Sequence, residues 1–239
     1  MNLLVVQHDH ASPLGPVAER FAERGYDQVL HLVVPQERFR DPGVETEFPD
    51  FTGFDAVVLM GAPWSVSAEA VASWVRPERE QIRRADEAGV PILGICFGGQ
   101  LLAATFGGAV AASPRPEIGW TEVASADEAI VPSGRWFQWH YDRWQMPPGA
   151  REIARNGAAS QAFVLRRNLA VQFHPELSSV MLAGWLANGG GAEIVAAGMD
   201  ADELLAATRL AEAETHLRTA RLVDGFLDLV AGRPARSFT

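Results

Sequence analysis

VPILGICFGGQ, residues 90–100, combines an apolar run, three glycines and the only cysteine of the chain. The run Val90–Ile95 predicts a buried strand, and the residues from Gly98 to Phe106 predict a helix. Glycines lack a Cβ, so they allow a strand to turn abruptly into a helix and leave Cys96 exposed at the bend. Unpaired amides at the start of such a helix favour thiolate over thiol. The stretch therefore predicts a nucleophile elbow, with a small buried structural cysteine as the alternative.

Alternating strands and helices lead up to this stretch. Strands are predicted over residues 3–6, 29–34, 55–60 and 90–95, and helices over residues 12–25, 68–88 and 98–106. Ser12 and Pro13 are expected to cap and begin the first helix, and a break of the second near Pro77 is left open. Such alternation is typical of a parallel sheet.

The rhythm changes after Gly107-Gly108. Short β-like runs without intervening helices predict antiparallel strands at residues 109–112, 118–124, 135–139, 152–155, 160–165 and 169–173. Ser178 is expected to cap a helix through Leu186. We predict a compact domain over residues 1–188 and a C-terminal helical extension over 189–239. The helical tail, residues 200–230, is expected to pack across the domain, with a dimer or partner contact as the alternative.

Composition narrows the function classes. The net charge of −10 and the pI of about 5.1 argue against nucleic acid or an anionic membrane as a partner. One cysteine cannot form an internal disulfide, which fits a reducing compartment. The apolar run at residues 3–6 is shorter than that of a signal peptide, and no run reaches the length that spans a bilayer. We therefore expect a cytoplasmic protein.

A thiol nucleophile needs a base and an orienting group, and residues 169–176 supply both. His174 ends an apolar strand, and Glu176, two residues later, returns to the same side. The Gly61-Ala62-Pro63 turn and the amide of Phe97 offer N–H groups to a developing oxyanion. Sites of open α/β sheets lie beyond the carboxyl ends of strands, where all these residues are predicted. A structural strand-end histidine and a plain turn are the alternatives.

Five segments together resemble the class I glutamine amidotransferases, most closely the glutaminase domain of GMP synthase and its stand-alone relatives. They are GICFGGQ (94–100), QFHPE (172–176), the turn at Gly61, WHYD (139–142) and EIGW (117–120). The resemblance covers roughly residues 1–188. It implies a flavodoxin-like α/β fold: a three-layer sandwich with a mostly parallel central sheet, an antiparallel extension and the helical tail.

The resemblance also implies a chemistry. The Cys96 thiolate attacks the γ-carboxamide of glutamine, His174 protonates the departing ammonia, and water then hydrolyses the glutamyl thioester. Glu176 completes a Cys-His-Glu triad. The oxyanion and substrate-binding residues implied are Gly61, Ala62, Phe97, Gln100, Tyr141 and Asp142. No metal or cofactor is implied, and the ammonia acceptor is expected to be a separate synthase chain.

Two positions depart from the family, which usually has glycine where this chain has Ala62 and Tyr141. Alanine still offers its amide, but a tyrosine ring is expected to narrow or reshape the glutamine pocket. A stand-alone hydrolase of γ-glutamyl amides or peptides is therefore the first alternative. A non-catalytic regulatory subunit is the second. The sequence names neither the acceptor nor the oligomeric state.

Several polar and aromatic residues have two interpretations. His8, Asp9 and His10 are interpreted as polar turn residues, with lining of the site mouth as the alternative. Trp136, Trp139 and Trp144 are assigned either to a pocket or to the packing of a β-layer.

Overall fold

The computed structural model describes residues 1–232, which form a nine-stranded sheet flanked by helices. The strands are β1 (Asn2–Asp9), β2 (Asp27–Val34), β3 (Ala56–Leu59), β4 (Ile92–Ile95), β5 (Ala109–Ser125), β6 (Gly134–Gln145), β7 (Arg151–Arg155), β8 (Ser160–Leu165) and β9 (Asn168–Val171). Their order is β2-β1-β3-β4-β9-β8-β7-β5-β6. The pairs from β2 through β9 are parallel and the remaining pairs are antiparallel. The predicted mostly parallel sheet with an antiparallel extension is confirmed.

Helices cover both faces of this sheet. They are α1 (Gly15–Glu23), α2 (Ala72–Glu87), α3 (Phe97–Thr105), α4 (Ser179–Trp185), α5 (Gly191–Ala196) and α6 (Ala201–Gly225), which continues as a helical segment, Phe226–Ala231. Short 3-10 turns lie at Gln36–Arg38, Phe51–Gly53 and Glu69–Val71. The flavodoxin-like three-layer arrangement is thus present.

Strand alternation creates two separate cores. In β1, Leu3 and Val5 join the apolar cluster that contains α1 and the end of the tail, whereas Leu4 and Val6 join the cluster of α2 and α3. Successive side chains of a strand point to opposite faces, so an uninterrupted apolar run buries both. The strands that lead to the site are therefore covered on both sides.

The helical tail packs across the domain. Phe226 is fully buried and its ring lies 6.3 Å from that of Phe21 on α1. Asp224 accepts hydrogen bonds from Arg20 and Arg24 at the end of α1, with an N–O distance of 2.6 Å in each ion pair. The predicted contact is confirmed, while the boundary after residue 188 stays a prediction.

Helix boundaries differ from prediction at two points. Residues Ser12 and Pro13 do not begin α1, which starts at Gly15; the Ser12 hydroxyl instead donates to Asp9 Oδ2 at 2.9 Å. The helix α2 continues through Pro77 without a break. Proline near a helix start removes few intrahelical hydrogen bonds, so α2 tolerates it.

Three strands also differ from prediction. The runs at 109–112 and 118–124 form one strand, β5, whose register shifts between Ala112 and Glu117. The strand β6 extends to Gln145, so the segment 139–142 lies within a strand. His8 and Asp9 belong to β1 and are buried, so the interpretation of both as polar turn residues is wrong.

Within residues 1–232, no single helix is both long and apolar enough to cross a membrane. The bent pair Ser179–Ala196 and Ala201–Ala231, whose halves meet at 112°, satisfies the length and composition criteria only when taken together.

Candidate active site

Three neighbouring parallel strands bring the predicted site residues to one edge of the sheet. Leu59 of β3 lies opposite Gly94 of β4, and Ile95 of β4 lies opposite Val171 of β9. The residues that follow these strands therefore emerge side by side. They are the Gly61 turn, Cys96 and the segment 172–176.

Cys96 occupies a strained turn between β4 and α3. Its φ of 49° and ψ of −105° are unusual for a residue with a side chain. A Cβ on Gly98 would lie 2.2 Å from the carbonyl oxygen of Leu59, and one on Gly94 would lie 2.6 Å from the carbonyl oxygen of Gly98. Only glycine lets the helix approach the strands this closely. The predicted strand, sharp turn and helix are present.

His174 and Glu176 form a buried pair beside this turn. His174 Nδ1 lies 2.8 Å from Glu176 Oε1, and the exposed fraction of each residue is 4 % or less. The backbone N–H of His174 donates to the carbonyl of Phe137 in β6, which anchors the segment. Trp185 packs edge-on against the imidazole at a ring distance of 5.1 Å.

Charge near His174 outweighs its burial. Desolvation lowers the pKa of His174, but the charges of Glu176 and Cys96 and their hydrogen-bonding interactions raise the pKa well above its ordinary value of 6.5. The Nε2 atom is buried and makes no hydrogen bond within the described part of the chain. The imidazole is therefore held from one side, with its other nitrogen left for a sulfur or a substrate.

Gly61 lies between the thiol and the imidazole. A Cβ at this position would be 3.3 Å from His174 Cε1 and 3.8 Å from the Cβ of Cys96. On the other side of the thiol, Gln172 Nε2 donates to Cys96 Sγ at 3.6 Å. The structure thus brings Cys96, His174 and the Gly61 turn together, as the sequence predicts.

Gln100 and His140 fix the backbone at Asp142. The Gln100 amide donates to the carbonyl of Asp142 at 3.2 Å and also to Gln172 Oε1 at 3.3 Å. His140 Nδ1 donates to the same Asp142 carbonyl at 2.9 Å. Two donors from different elements therefore hold this rim of the site.

Glu117 supports His140 from beneath. Its Oε2 lies 3.3 Å from His140 Nε2, and its carboxylate also accepts from Asn156 and Gln161. Burial raises the pKa of Glu117, but these hydrogen bonds lower the pKa by more, so the net pKa lies below its ordinary value. The EIGW segment thus contributes a charged group behind the rim.

Tyr141 adopts a conformation that does not require glycine. Among the described non-glycine residues, only Cys96 and Arg166 have positive φ. The tyrosine is 47 % exposed, and its hydroxyl donates to Glu193 Oε2 of α5 at 2.9 Å. Trp139 Nε1 donates to the same oxygen at 3.2 Å. The tyrosine therefore bridges β6 and α5 at the rim.

These residues surround a cleft of about 310 Å³. Of the predicted set, the residues lining it are Gly61, Ala62, Cys96, Gln100, Tyr141, Asp142 and His174. The side chains of Phe97 and Glu176 are buried behind this surface. Trp139 lines the cleft, whereas Trp136 and Trp144 pack in the cores.

Further cleft residues lie outside the predicted set. Asp9 lines the cleft, in agreement with the alternative for residues 8–10, and Ser12 lies beside it. The segment from the end of α4 onward adds Trp185, Asn188, Gly190 and Glu193, which no local signal in the sequence identifies. The alternation along residues 172–176 is a signal that places Gln172 beside His174.

Metal ligation has no support in the described part of the chain. Within residues 1–232, no group of three or more His, Cys, Asp or Glu side chains is arranged to hold a metal ion.

Sequence comparison identifies the relatives of this chain. The profile of the family described as glutamine amidotransferase class-I matches residues 19–185. A glutamine-hydrolyzing GMP synthase from Aeropyrum pernix is 36 % identical over 168 residues, which cover 63 % of this chain and 31 % of that protein. One separate subunit of a glutamine-hydrolyzing GMP synthase, from Sulfolobus acidocaldarius, is 38 % identical over 164 residues, which cover 63 % of this chain and 85 % of that protein. The chain thus spans less than a third of the length of the Aeropyrum protein.

Solved structures agree with the fold. A glutamine amidotransferase from Thermotoga maritima aligns with a TM-score of 0.81 at 23 % identity, covering 95 % of this chain and 98 % of that one. A glutamine amido transferase from Methylobacillus flagellatus also aligns with a TM-score of 0.81, at 24 % identity, covering 99 % and 97 %. At this identity the likeness bears on the fold, and the sequence matches bear on the family. The chain belongs to the class I glutamine amidotransferases, a family of enzymes with a cysteine nucleophile.

Proposed function

We propose that this chain hydrolyses the side-chain amide of glutamine through Cys96, His174 and Glu176 and delivers the ammonia to a separate acceptor enzyme. The observation that carries the proposal is the strained Cys96 turn at a cleft beside His174, whose Nδ1 lies 2.8 Å from Glu176. A positioned nucleophile, a base and an orienting carboxylate are what acyl transfer requires.

The first half of the reaction forms a thioester. The Cys96 thiolate attacks the γ-carbonyl carbon, and the carbonyl oxygen becomes an oxyanion near the amides of Gly61, Ala62 and Phe97. As the first residue of α3, Phe97 has an N–H with no acceptor inside the helix. The C–N bond then breaks while His174 gives its proton to the nitrogen, and ammonia leaves.

The second half restores the enzyme. His174 takes a proton from water, the resulting hydroxide attacks the thioester carbon, and the C–S bond breaks. Glutamate and the Cys96 thiolate remain, so the balance is glutamine plus water giving glutamate plus ammonia. Glu176 keeps the proton on Nδ1 of the imidazole and stabilises its charged form throughout.

The substrate is held by the rim of the cleft. Gln100 and the backbone at Tyr141 and Asp142 are proposed to bind the amino acid end of glutamine, since the Asp142 segment is fixed by two hydrogen bonds. Tyr141 leans toward Glu193, which leaves the cleft volume between the rim and Cys96.

The acceptor is proposed to be another chain. The relatives from Sulfolobus acidocaldarius and Saccharolobus solfataricus, each matched over 85 % of its length, are both named as one subunit of a glutamine-hydrolyzing GMP synthase. A name of this form supports a division of the synthase between chains. We place this chain in a matching role, as the glutamine-hydrolysing component of an ammonia-consuming synthesis whose synthase is another chain.

The test measures glutamate and ammonia released from glutamine by the purified chain. Wild type is expected to release them in equal amounts, and Cys96→Ser and His174→Gln are expected to lose at least about a hundredfold in kcat. His216→Gln on α6, outside the cleft, is the matched control and is expected to keep wild-type activity.

Mass spectrometry of the rapidly quenched enzyme gives the covalent evidence. A glutamyl adduct on Cys96 is expected with glutamine. An adduct formed only with γ-glutamyl amines or peptides would contradict glutamine as the substrate. No adduct and no ammonia with any of these compounds would contradict the enzymatic proposal as a whole.

A further inference from the structure

A second histidine–glutamate pair lies buried outside the triad. His8 on β1 and Glu78 on α2 are both fully buried, and His8 Nε2 lies 2.9 Å from Glu78 Oε1. Burying a charged pair costs desolvation energy that its attraction often does not recover. Apolar residues of similar volume serve a core equally well, so this pair invites a functional explanation.

The other nitrogen of His8 reaches the proposed oxyanion turn. His8 Nδ1 donates to the carbonyl oxygen of Met60 at 2.9 Å, and Met60 directly precedes Gly61. The same oxygen accepts from the N–H of Gly98 at 3.0 Å, while Met60 N–H donates to Val6 at 3.0 Å. The peptide group that leads into the turn is therefore held by β1, by α3 and by the imidazole.

The ring of His8 also supports the nucleophile side of the site. It lies 4.8 Å from the ring of Phe97 and 5.6 Å from that of Trp74, against which it stacks. Phe97 follows Cys96, and its amide is the second proposed oxyanion donor. One imidazole thus contacts both segments that are proposed to bind the oxyanion.

The electrostatic setting keeps this imidazole a donor on both sides. Burial lowers the pKa of His8, but Glu78, the Met60 carbonyl and Asp9 raise the pKa by more, so the net pKa lies above its ordinary value. Hydrogen bonds in a chain polarise one another inside a low-dielectric interior. A proton donated to the Met60 carbonyl therefore makes the N–H on the other side of that peptide group a stronger donor.

The geometry points to His8 and Glu78 as positioning residues for the oxyanion site, which hold the Met60–Gly61 peptide and Phe97 in place for the transition state. Neither side chain lines the cleft, so both act through the backbone that they hold. This inference rests on the proposed function, because it assigns a supporting pair to the same acyl transfer.

The test separates the oxyanion site from the thiolate. His8→Phe removes both hydrogen bonds of the imidazole at similar volume, and His8→Asn keeps a donor near the Met60 carbonyl. His31→Phe, on the neighbouring strand β2, is the matched control. The readouts are kcat and KM for glutamine, the rate of Cys96 alkylation by iodoacetamide, and inhibition by 5-oxopentanoate. That aldehyde adds to the thiolate as a hemithioacetal, whose new oxygen occupies the oxyanion position.

His8→Phe is expected to lower kcat about tenfold or more with KM changed less than about threefold, since one lost oxyanion donor costs more than this. Inhibition by 5-oxopentanoate is expected to weaken by a similar factor, while the alkylation rate stays within about twofold of wild type. His8→Asn is expected to recover part of both losses, and His31→Phe to leave all readouts unchanged.

Three results would overturn the inference. They are unchanged kcat and unchanged aldehyde inhibition in His8→Phe, an equal loss of alkylation rate, or a change confined to KM. If His8→Phe does not fold, Glu78→Gln and His8→Asn decide by the same readouts, with a severalfold weaker aldehyde inhibition expected. If wild type does not hydrolyse glutamine, the proposed function fails, while aldehyde inhibition and alkylation still report on the pair.

Discussion

Replacing Glu176 with glutamine removes one charge from the proposed triad and almost nothing else. The carboxylate is fully buried and its Oε1 lies 2.8 Å from His174 Nδ1. Two unit charges about 4 Å apart attract by about 4 kcal/mol at an effective dielectric constant of about 20. The amide oxygen of glutamine still accepts from Nδ1, so we expect a loss of about 3 kcal/mol, on the order of a hundredfold in kcat.

The pH dependence gives the sign of the effect. In wild type the charges near His174 outweigh burial and raise its pKa. Without the carboxylate of Glu176, burial opposes the charged imidazolium with less compensation, so the pKa of His174 falls. The pH at which the imidazolium is lost is therefore expected to move downward in Glu176→Gln.

The assay is ammonia release from glutamine across pH, with Cys96 alkylation by iodoacetamide as a second readout. Glu122→Gln, the same chemical change at an exposed position of β5, is the control. A folded Glu176→Gln variant with wild-type kcat and an unshifted pH profile would refute the reasoning. A change in KM alone would assign Glu176 to binding instead.

Three further predictions concern stability, each measured by urea unfolding. Gly98→Ala places a Cβ 2.2 Å from a backbone carbonyl and is expected to cost about 3 kcal/mol or more, whereas Gly157→Ala, with open space around it, is expected to change stability by less than about 1 kcal/mol; equal costs would contradict the packing argument. Phe226→Ala is expected to cost about 3–5 kcal/mol, because this side chain is fully buried, and a cost near zero would show that the tail is not part of the core. The raised pKa of His8 contributes stability that is fully present below about pH 6.5 and is lost as pH rises through the folded-state pKa. Stability is therefore expected to fall with rising pH by at most about 1.4 kcal/mol per pH unit for this group, with a smaller slope in Glu78→Gln; an unchanged slope would contradict the pair.

Much of the fold was accessible from local patterns. Apolar runs predicted β1, β3 and β4, since a strand buried on both faces needs only consecutive apolar side chains. Caps were predicted where the side chain acts on its own helix, as Ser178 does by accepting from the N–H of Met181. The cap at Ser12 failed, because Asp9, on the preceding strand, takes its hydroxyl.

Solvent exposure was less accessible than the element type. The run Val29–Val34 forms β2 as predicted, yet β2 is an edge strand and Leu30 is 60 % exposed. Apolar composition reports that a segment prefers an extended conformation. It does not report which partners cover that segment, because those partners lie far away in the sequence.

By itself, the sequence determined the strand–turn–helix at Cys96 and the order of motifs that identifies the family. These follow from short-range sterics and from spacing along one strand, both of which are local properties. Only the tertiary structure decided that Tyr141 reaches Glu193, that residues after α4 line the cleft, and that His8 contacts Met60 rather than solvent. Each of these contacts joins elements distant in sequence, so its geometry exists only once the sheet and helices have packed.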